Sequence, residues 1–152
     1  IDDAQSDREV LSRIAWQALE HLRHPAVRDF AHHNAAKGNR TFENFALLVT
    51  NYIPEDAMLL ESILKELILH KNWDEVHAAG MDVYRAFGRD SVIPHPKHLL
   101  PLLYEYNPCS YCRESALAYM SKHRMMTKEI LMECQFDSNE DIRRMAEKRL
   151  KQ

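Results

Sequence analysis

The residues with the most chemical potential in this sequence are the two thiols of Cys109-Ser-Tyr-Cys112, a C-x-x-C motif. Such pairs bind metal ions or take part in thiol–disulfide exchange. Two histidines, His95 and His98, precede the motif by ten residues and suggest a His₂Cys₂ zinc site. We expect the two pairs to open consecutive antiparallel helices, however, so that a helix of roughly 15 Å separates them. That separation argues against a shared site.

The third thiol, Cys134, is better placed for a metal. It ends the helix before Asp137, at the end of the helix stack where the Cys109 helix begins. A zinc site of Cys109, Cys112 and Cys134, with a fourth ligand such as His70, is therefore one interpretation. The other makes Cys112 a small core residue. We favour the core interpretation, because three thiols lack a firm fourth ligand, and we expect no cofactor.

No catalytic constellation is visible in the sequence. The nine histidines form no H-E-x-x-H motif, and neither a nucleophile elbow nor a glycine-rich phosphate loop occurs. Asp137, Glu140 and Asp141 open a helix, where the positive end of the helix dipole favours acidic side chains without any catalytic role. We therefore assign no catalytic residues.

Composition limits the fold and the class of protein. The 152 residues fit one domain, and 45% apolar residues with only three glycines argue against disorder and against an all-β fold. No apolar run approaches the roughly 18 residues that span a bilayer, and no signal peptide is visible. Three cysteines cannot all pair, so we expect a reducing, cytoplasmic location and no membrane partner. The missing initiator Met suggests a trimmed chain or a piece of a longer one.

Apolar periodicity predicts nine helices with short connections. Ser6 and Glu9 form a capping box before the first helix. Its inner face is predicted to be Leu11, Ile14, Ala15, Ala18 and Leu22. The later helices are expected at 25–36, 41–52, 54–68, 72–87, 97–106, 108–122, 127–136 and 138–151. The loop at 88–96 is a possible seam, and Pro101 should kink or shorten its helix.

Two segments repeat at an offset of 30 residues, since Asn107–Met120 aligns without a gap on Asp137–Leu150. Each segment has a capping Asx, an apolar residue five positions later, then Arg, then Ala three positions beyond. A shorter echo begins at His24 and contains Val27, Arg28 and Ala31. A weaker one begins at Asn72 and has His77 in place of the Arg.

This pattern resembles the second helix of a HEAT-type repeat. The resemblance implies an all-α fold, a right-handed α-solenoid (α-α superhelix) of stacked antiparallel helix pairs, with residues 1–152 as a single HEAT-like domain. In that family, the Asx and Arg positions tie neighbouring repeats together at the turns. Arg28, Arg113 and Arg143 therefore have a structural role first, with ligand binding as the alternative.

A basic run close to the C-terminus suggests a nucleic-acid surface. Residues 113–152 carry a net charge of +2, whereas residues 1–112 carry −5. The candidate binding residues are Arg113, Arg143, Arg144 and Lys148. We favour the alternative, a solvated helix with cations near its negative dipole end.

The function expected from these features is a non-catalytic protein-interaction scaffold with an unidentified protein partner. The alternative is a DNA-binding protein or a DNA-repair protein similar to HEAT-like glycosylases. The glycosylase interpretation needs several inward-facing Lys and Arg residues and a carboxylate among aromatic side chains. The overall net charge of −3 weighs against it. HEAT-like bilin lyases, and an extension of a larger chain, are further interpretations.

Overall fold

The computed structural model describes residues 10–11, 14–88 and 95–151. Within these residues the fold is all-α, with nine α-helices, two short 3₁₀ turns and no strand. The prediction of an all-α fold with about nine helices is therefore confirmed for this part of the chain. No helix among the described residues has the length and apolarity needed to cross a bilayer.

Helix bounds lie close to the predicted ones. Helix α1 includes the described helical residues 10–11 and 14–20. The others are α2 (Pro25–Ala36), α3 (Phe42–Thr50), α4 (Ala57–Leu69), α5 (Trp73–Phe87), α6 (Leu100–Tyr106), α7 (Ser110–Lys122), α8 (Lys128–Cys134) and α9 (Glu140–Leu150). Pro101 lies in the first turn of α6, and the 3₁₀ turn Lys97–Leu99 precedes it. Pro101 thus shortens the α-helix, as its missing N–H predicts.

Helices contact one another in a regular order along the chain. Each even-numbered helix from α2 packs on the next one, giving the pairs α2–α3, α4–α5, α6–α7 and α8–α9. The odd-numbered helices also contact each other in sequence, α3 with α5, α5 with α7, and α7 with α9. Each of α3, α5 and α7 therefore packs both on a chain neighbour and on the helix two places further along.

Helix α3 lies at the centre of the hydrophobic core. Every residue from Asn44 to Thr50 is buried, because α3 contacts α2, α4 and α5. The core continues through the molecule to Ile142 and Ala146 on α9. Cys112 and Ala116 occupy the aligned positions of the repeat on α7, and all four residues are at most 1% exposed.

The predicted inner face of α1 is wrong. Leu11 is 65% exposed and Ile14 53% exposed, and Ala15, Ala18 and Leu22 are also exposed. Trp16 and Leu19 pack against the core instead. The centroid of the Trp16 ring lies 5.9 Å from that of Phe30, which is itself half exposed. A large indole ring removes more apolar area from water than an alanine-rich stripe does, so it decides which face packs.

Three predicted caps have different roles. Asn72 precedes α5, but its side-chain amide donates to the Glu75 carboxylate, at 3.2 Å, and does not cap the backbone. The residues that precede α7 and α9 directly are Cys109 and Asn139, so Asn107 and Asp137 are not the caps. Each instead accepts the backbone N–H two residues ahead, which forms an Asx turn. The Ser6–Glu9 box and residues 89–94 of the possible seam lie outside the described residues.

Candidate functional site

The C-x-x-C motif forms the first turn of α7, which side-chain hydrogen bonds hold against α5. Asn107, 2% exposed, accepts the Cys109 N–H at 3.0 Å and donates its amide to the Val76 carbonyl at 3.3 Å. The Tyr84 hydroxyl donates to the Cys112 carbonyl at 2.7 Å. Two residues of other elements therefore fix the position of both cysteines relative to α5.

Gly80 allows this close approach of Asn107 to α5. A Cβ added at Gly80 would lie 2.8 Å from Nδ2 of Asn107, closer than real Cβ atoms come to a neighbour. Glycine in a helix interior normally costs stability relative to alanine, so a packing reason is expected for it. Here the reason is the space for the Asn107 amide.

His77 on α5 joins the two cysteines. Its Nδ1 lies 3.4 Å from Cys112 Sγ, and single ligand atoms of His77, Cys109 and Cys112 all lie within 4.8 Å of one another. Cys112 is fully buried, whereas Cys109 and His77 are partly exposed. The thioether sulfur of Met81 is 3.9 Å from Cys112 Sγ. One imidazole and two thiols thus lie close together in a partly buried cluster.

The two thiols of the motif differ in acidity. The backbone N–H of Cys112 stabilises the Cys109 thiolate and lowers the pKa of Cys109. Burial opposes this shift less strongly, while the Tyr111 N–H and Arg113 lower the pKa further. Burial raises the pKa of Cys112 to about 12, and the neighbouring Cys109 adds to the shift. Cys109 is therefore the more nucleophilic thiol, in keeping with its place at the start of a helix.

The third thiol lies elsewhere. Among the described residues, the single group of three or more potential metal ligands is His77, Cys109 and Cys112, so Cys134 is not a member. Cys134 is buried, with its sulfur 3.4 Å from the Tyr104 hydroxyl. His70, the suggested fourth ligand, is exposed at the end of α4. The structure thus brings His77, and not Cys134, next to Cys109 and Cys112.

The candidate nucleic-acid-binding residues are mostly engaged within the chain. Arg113 donates to both carboxylate oxygens of Asp137, at 3.3 and 3.4 Å. Arg143 donates to the carbonyls of Asp137 and Ser138, at 2.6 and 2.9 Å. Arg144 pairs with Glu140 at 2.6 Å. These three guanidinium groups already have acceptors, whereas Lys148 is exposed on α9.

The repeat alignment corresponds to equivalent contacts in space. Arg113 donates to the Asn107 carbonyl, at 3.4 Å, and Arg143 to the Asp137 carbonyl, so each Arg returns to the Asx six residues before it. Arg113 then reaches forward to Asp137, which precedes the helix two places further along. Equivalent positions therefore make equivalent bonds.

From α2 onward, large exposed apolar side chains are concentrated on the even-numbered helices. Each of the even-numbered helices α2, α4, α6 and α8 has at least one such side chain, either within the helix or within two residues of its end. These side chains are Phe30, Met58, Leu69, Tyr106, Met132 and Phe136. Of the odd-numbered helices, α1 carries Val10, Leu11 and Ile14 among its described residues, α5 and α7 have one each, in the first turn, and α3 and α9 have none. A surface depression of about 380 Å³ runs along α4 and is lined by Met58, Glu61, Ser62, Lys65, Glu66 and Leu69.

No protein-family model matches this chain, and neither the curated proteins nor the solved structures contain a match to it. The geometry of its own residues is therefore the basis for a functional assignment. Two features stand out: the exposed apolar side chains of the even-numbered helices and the His77–Cys109–Cys112 cluster.

Proposed function

We propose that the chain is a non-catalytic protein-interaction scaffold whose antiparallel helix pairs stack as a right-handed, HEAT-like α-solenoid. The sequential contacts of α3, α5, α7 and α9 support this arrangement. So do the bonds from Arg113 to the turn before the helix two places along. Stacked helical repeats offer long surfaces with few loops, which suits the binding of other proteins.

The observation that carries the proposal is the exposure of large apolar side chains on the even-numbered helices. Met58 is 85% exposed, Leu69 75% and Phe136 87%. Methionine and aromatic residues are enriched at protein interfaces, and contiguous exposed apolar area marks interaction sites. The even-numbered helices are therefore the proposed partner surface.

Helix α4 provides the best-defined part of this surface. Met58 and Leu69 are eleven residues apart, which is about 16 Å along a helix. Between them Lys65 pairs with Glu61 at 2.6 Å, so the centre carries no uncompensated charge from this pair. Two apolar anchors separated by a neutralised polar centre fit a partner helix lying along α4, with apolar residues three turns apart.

Nucleic acid is the weaker candidate as a partner. A phosphate-binding surface needs Lys and Arg side chains that are free to face phosphate. Arg113 and Arg144 each face a carboxylate of this chain, and Arg143 is directed at backbone carbonyls. These contacts and the net charge of −3 favour a protein partner.

A comparison of surface variants tests the proposal. The tagged chain is expressed at its natural level in its source cells, crosslinked, and purified for quantitative mass spectrometry. Met58→Lys/Leu69→Lys disrupts the α4 surface, and Tyr111→Lys/Ala118→Lys is the matched control on exposed positions of α7. Because anchor residues contribute about 2 kcal/mol or more, the α4 variant should lose its partners at least about tenfold.

The control variant should retain the same partners as the wild type. Circular dichroism and thermal unfolding of both variants verify that the fold is intact. A partner set that is unchanged by the α4 substitutions, or no protein enriched by the wild type, would contradict the proposal.

A further inference from the structure

Two thiols and an imidazole meet where α7 begins against α5. Cys109 and Cys112 lie three residues apart in the first turn of α7, and His77 approaches them from α5. They are 32 and 35 residues away from His77 in sequence, so only the packing of α5 on α7 brings the three together. The scaffold function leaves this cluster unexplained.

The distances suit a tetrahedral metal ion. With Zn–S of about 2.3 Å and Zn–N of about 2.0–2.1 Å, a tetrahedral site places nitrogen and sulfur ligands about 3.6 Å apart and two sulfurs about 3.8 Å apart. His77 Nδ1 and Cys112 Sγ are 3.4 Å apart, and every pair of ligand atoms is within 4.8 Å. Rotamer changes that move the ligand atoms by about 1 Å would give the tetrahedral geometry.

The donors indicate the class of metal. Thiolate and imidazole ligands select thiophilic ions such as Zn²⁺ over Mg²⁺ or Ca²⁺, which prefer oxygen ligands. The divalent charge would also compensate two thiolates, one of which belongs to the fully buried Cys112. A disulfide between the two cysteines would not explain why His77 lies next to Cys112.

We propose that His77, Cys109 and Cys112 bind one Zn²⁺ ion, with the fourth position open to solvent or to a ligand from outside. The open position lies on the side of Cys109 and His77, which are both partly exposed. Three protein ligands and one exchangeable position are typical of zinc sites that bind a further group.

Asn107 is the positioning residue of this site. It accepts the N–H of Cys109 and donates to the carbonyl of Val76, the residue before His77. One buried amide therefore fixes the spacing between the helix that carries the histidine and the turn that carries the cysteines. Zinc affinity should fall about tenfold or more in Asn107→Ala, as for other residues that orient ligands.

Zinc binding is measured on the full chain. The protein is expressed with zinc, and the metal is quantified by elemental mass spectrometry. The metal is then removed with a chelator under reducing conditions, and Co²⁺ is titrated as an optical probe of tetrahedral thiolate ligation. The wild type should hold one equivalent of Zn²⁺ and give a 1:1 Co²⁺ spectrum.

Variants identify the ligands. His77→Ala and Cys109→Ser should weaken Zn²⁺ binding at least about tenfold. Cys134→Ala is the matched control and should bind normally, since its sulfur contacts Tyr104 and is not part of the cluster. No metal in the wild type, or loss of metal only in Cys134→Ala, would overturn the proposal.

Alkylation of the wild type gives an answer even if a variant fails to fold. Cys109 is the partly exposed thiol of the three, so it should react with iodoacetamide in the metal-free protein. Addition of Zn²⁺ should protect it, as read by peptide mass spectrometry. Equal labelling of Cys109 with and without Zn²⁺ would contradict the site.

Discussion

Arg28 on α2 and Asp56 before α4 form a two-bond ion pair whose carboxylate is completely buried. Nε and Nη2 of Arg28 donate to the two carboxylate oxygens, each at 2.8 Å. The Asp56 side chain has no exposed area, whereas that of Arg28 is 22% exposed. Hydrogen bonding to Asp56 raises the pKa of Arg28, so the guanidinium stays charged. This pair links α2 to the helix two places along, as Arg113 and Asp137 link α7 to α9.

Removal of Arg28 should be strongly destabilising. In Arg28→Leu the Asp56 carboxylate stays buried without its partner, and breaking a buried pair on one side typically costs about 3–5 kcal/mol. The partial exposure of Arg28 favours the lower end of this range. Urea unfolding of the wild type and the variant measures the difference in unfolding free energy. The control Arg144→Leu breaks an exposed pair with Glu140 and should cost below about 1 kcal/mol. Equal losses for the two variants would contradict the role given to Arg28.

Truncation of Ile142 tests the repeat alignment. This side chain is 1% exposed in the core that α9 shares with α7, so Ile142→Ala should cost about 2–5 kcal/mol through lost burial and a cavity. Met132→Ala, at a position that is 52% exposed on α8, is the matched control with a small expected effect. A loss below about 1 kcal/mol at Ile142 would mean that this position does not pack as the alignment predicts.

Gly80→Ala should destabilise the protein although alanine is the better helix former. The new Cβ would lie 2.8 Å from the Asn107 amide, and such overpacking costs roughly 1–3 kcal/mol, against a propensity gain of about 1 kcal/mol. Gly88→Ala is the control, since its Cβ would meet Arg85 O at an ordinary 3.5 Å. Thermal unfolding distinguishes the two, and a stabilising Gly80→Ala would disprove the close approach.

His98 should make stability depend on pH below neutrality. Its Nε2 lies 3.0 Å from the Ala57 carbonyl, and burial lowers the pKa of His98 below its ordinary 6.5, with Ala57 and Glu61 offsetting only part of the shift. The unfolded chain therefore takes up this proton first as the pH falls. The unfolding free energy should decrease from pH 7.5 to 5.5.

The matched variant removes the titration and keeps a hydrogen-bond donor. His98→Gln can still donate to the Ala57 carbonyl but cannot bind a proton in this range. Its unfolding free energy should decrease less than that of the wild type between pH 7.5 and 5.5, as measured by urea unfolding at both values. The same decrease in both proteins would contradict the assignment to His98.

The sequence predicted two of the three residues of the His77–Cys109–Cys112 cluster and missed the third. Cys109 and Cys112 are visible because a C-x-x-C motif is local. His77 was missed because its contact with Cys112 arises from the packing of α5 on α7, which periodicity does not describe. One signal was available: His77 occupies the Arg position of the repeat, and α5 is two helices before α7.

The α1 helix illustrates a second limit. Periodicity gave the correct helix, but its sequence contains two candidate inner faces, and the face with Trp16 packs on Phe30 while the one with Ile14 remains exposed. The choice depends on the area that each face can bury against its neighbours, which is a property of the assembled core. By contrast, the faces of α7 and α9 followed from the repeat, since Cys112 and Ile142 occupy the same aligned position and are both buried.

Site-specific photo-crosslinking tests the scaffold function most directly. A benzophenone side chain replaces Met58 or Leu69 on α4, or Lys148 on α9, one position at a time, in the source cells. If the even-numbered helices carry the partner surface, irradiation at positions 58 and 69 gives adducts of one defined mass that contain the same protein. Position 148, exposed on an odd-numbered helix, gives background only. Adducts from position 148 alone, or none from positions 58 and 69, would contradict the scaffold proposal.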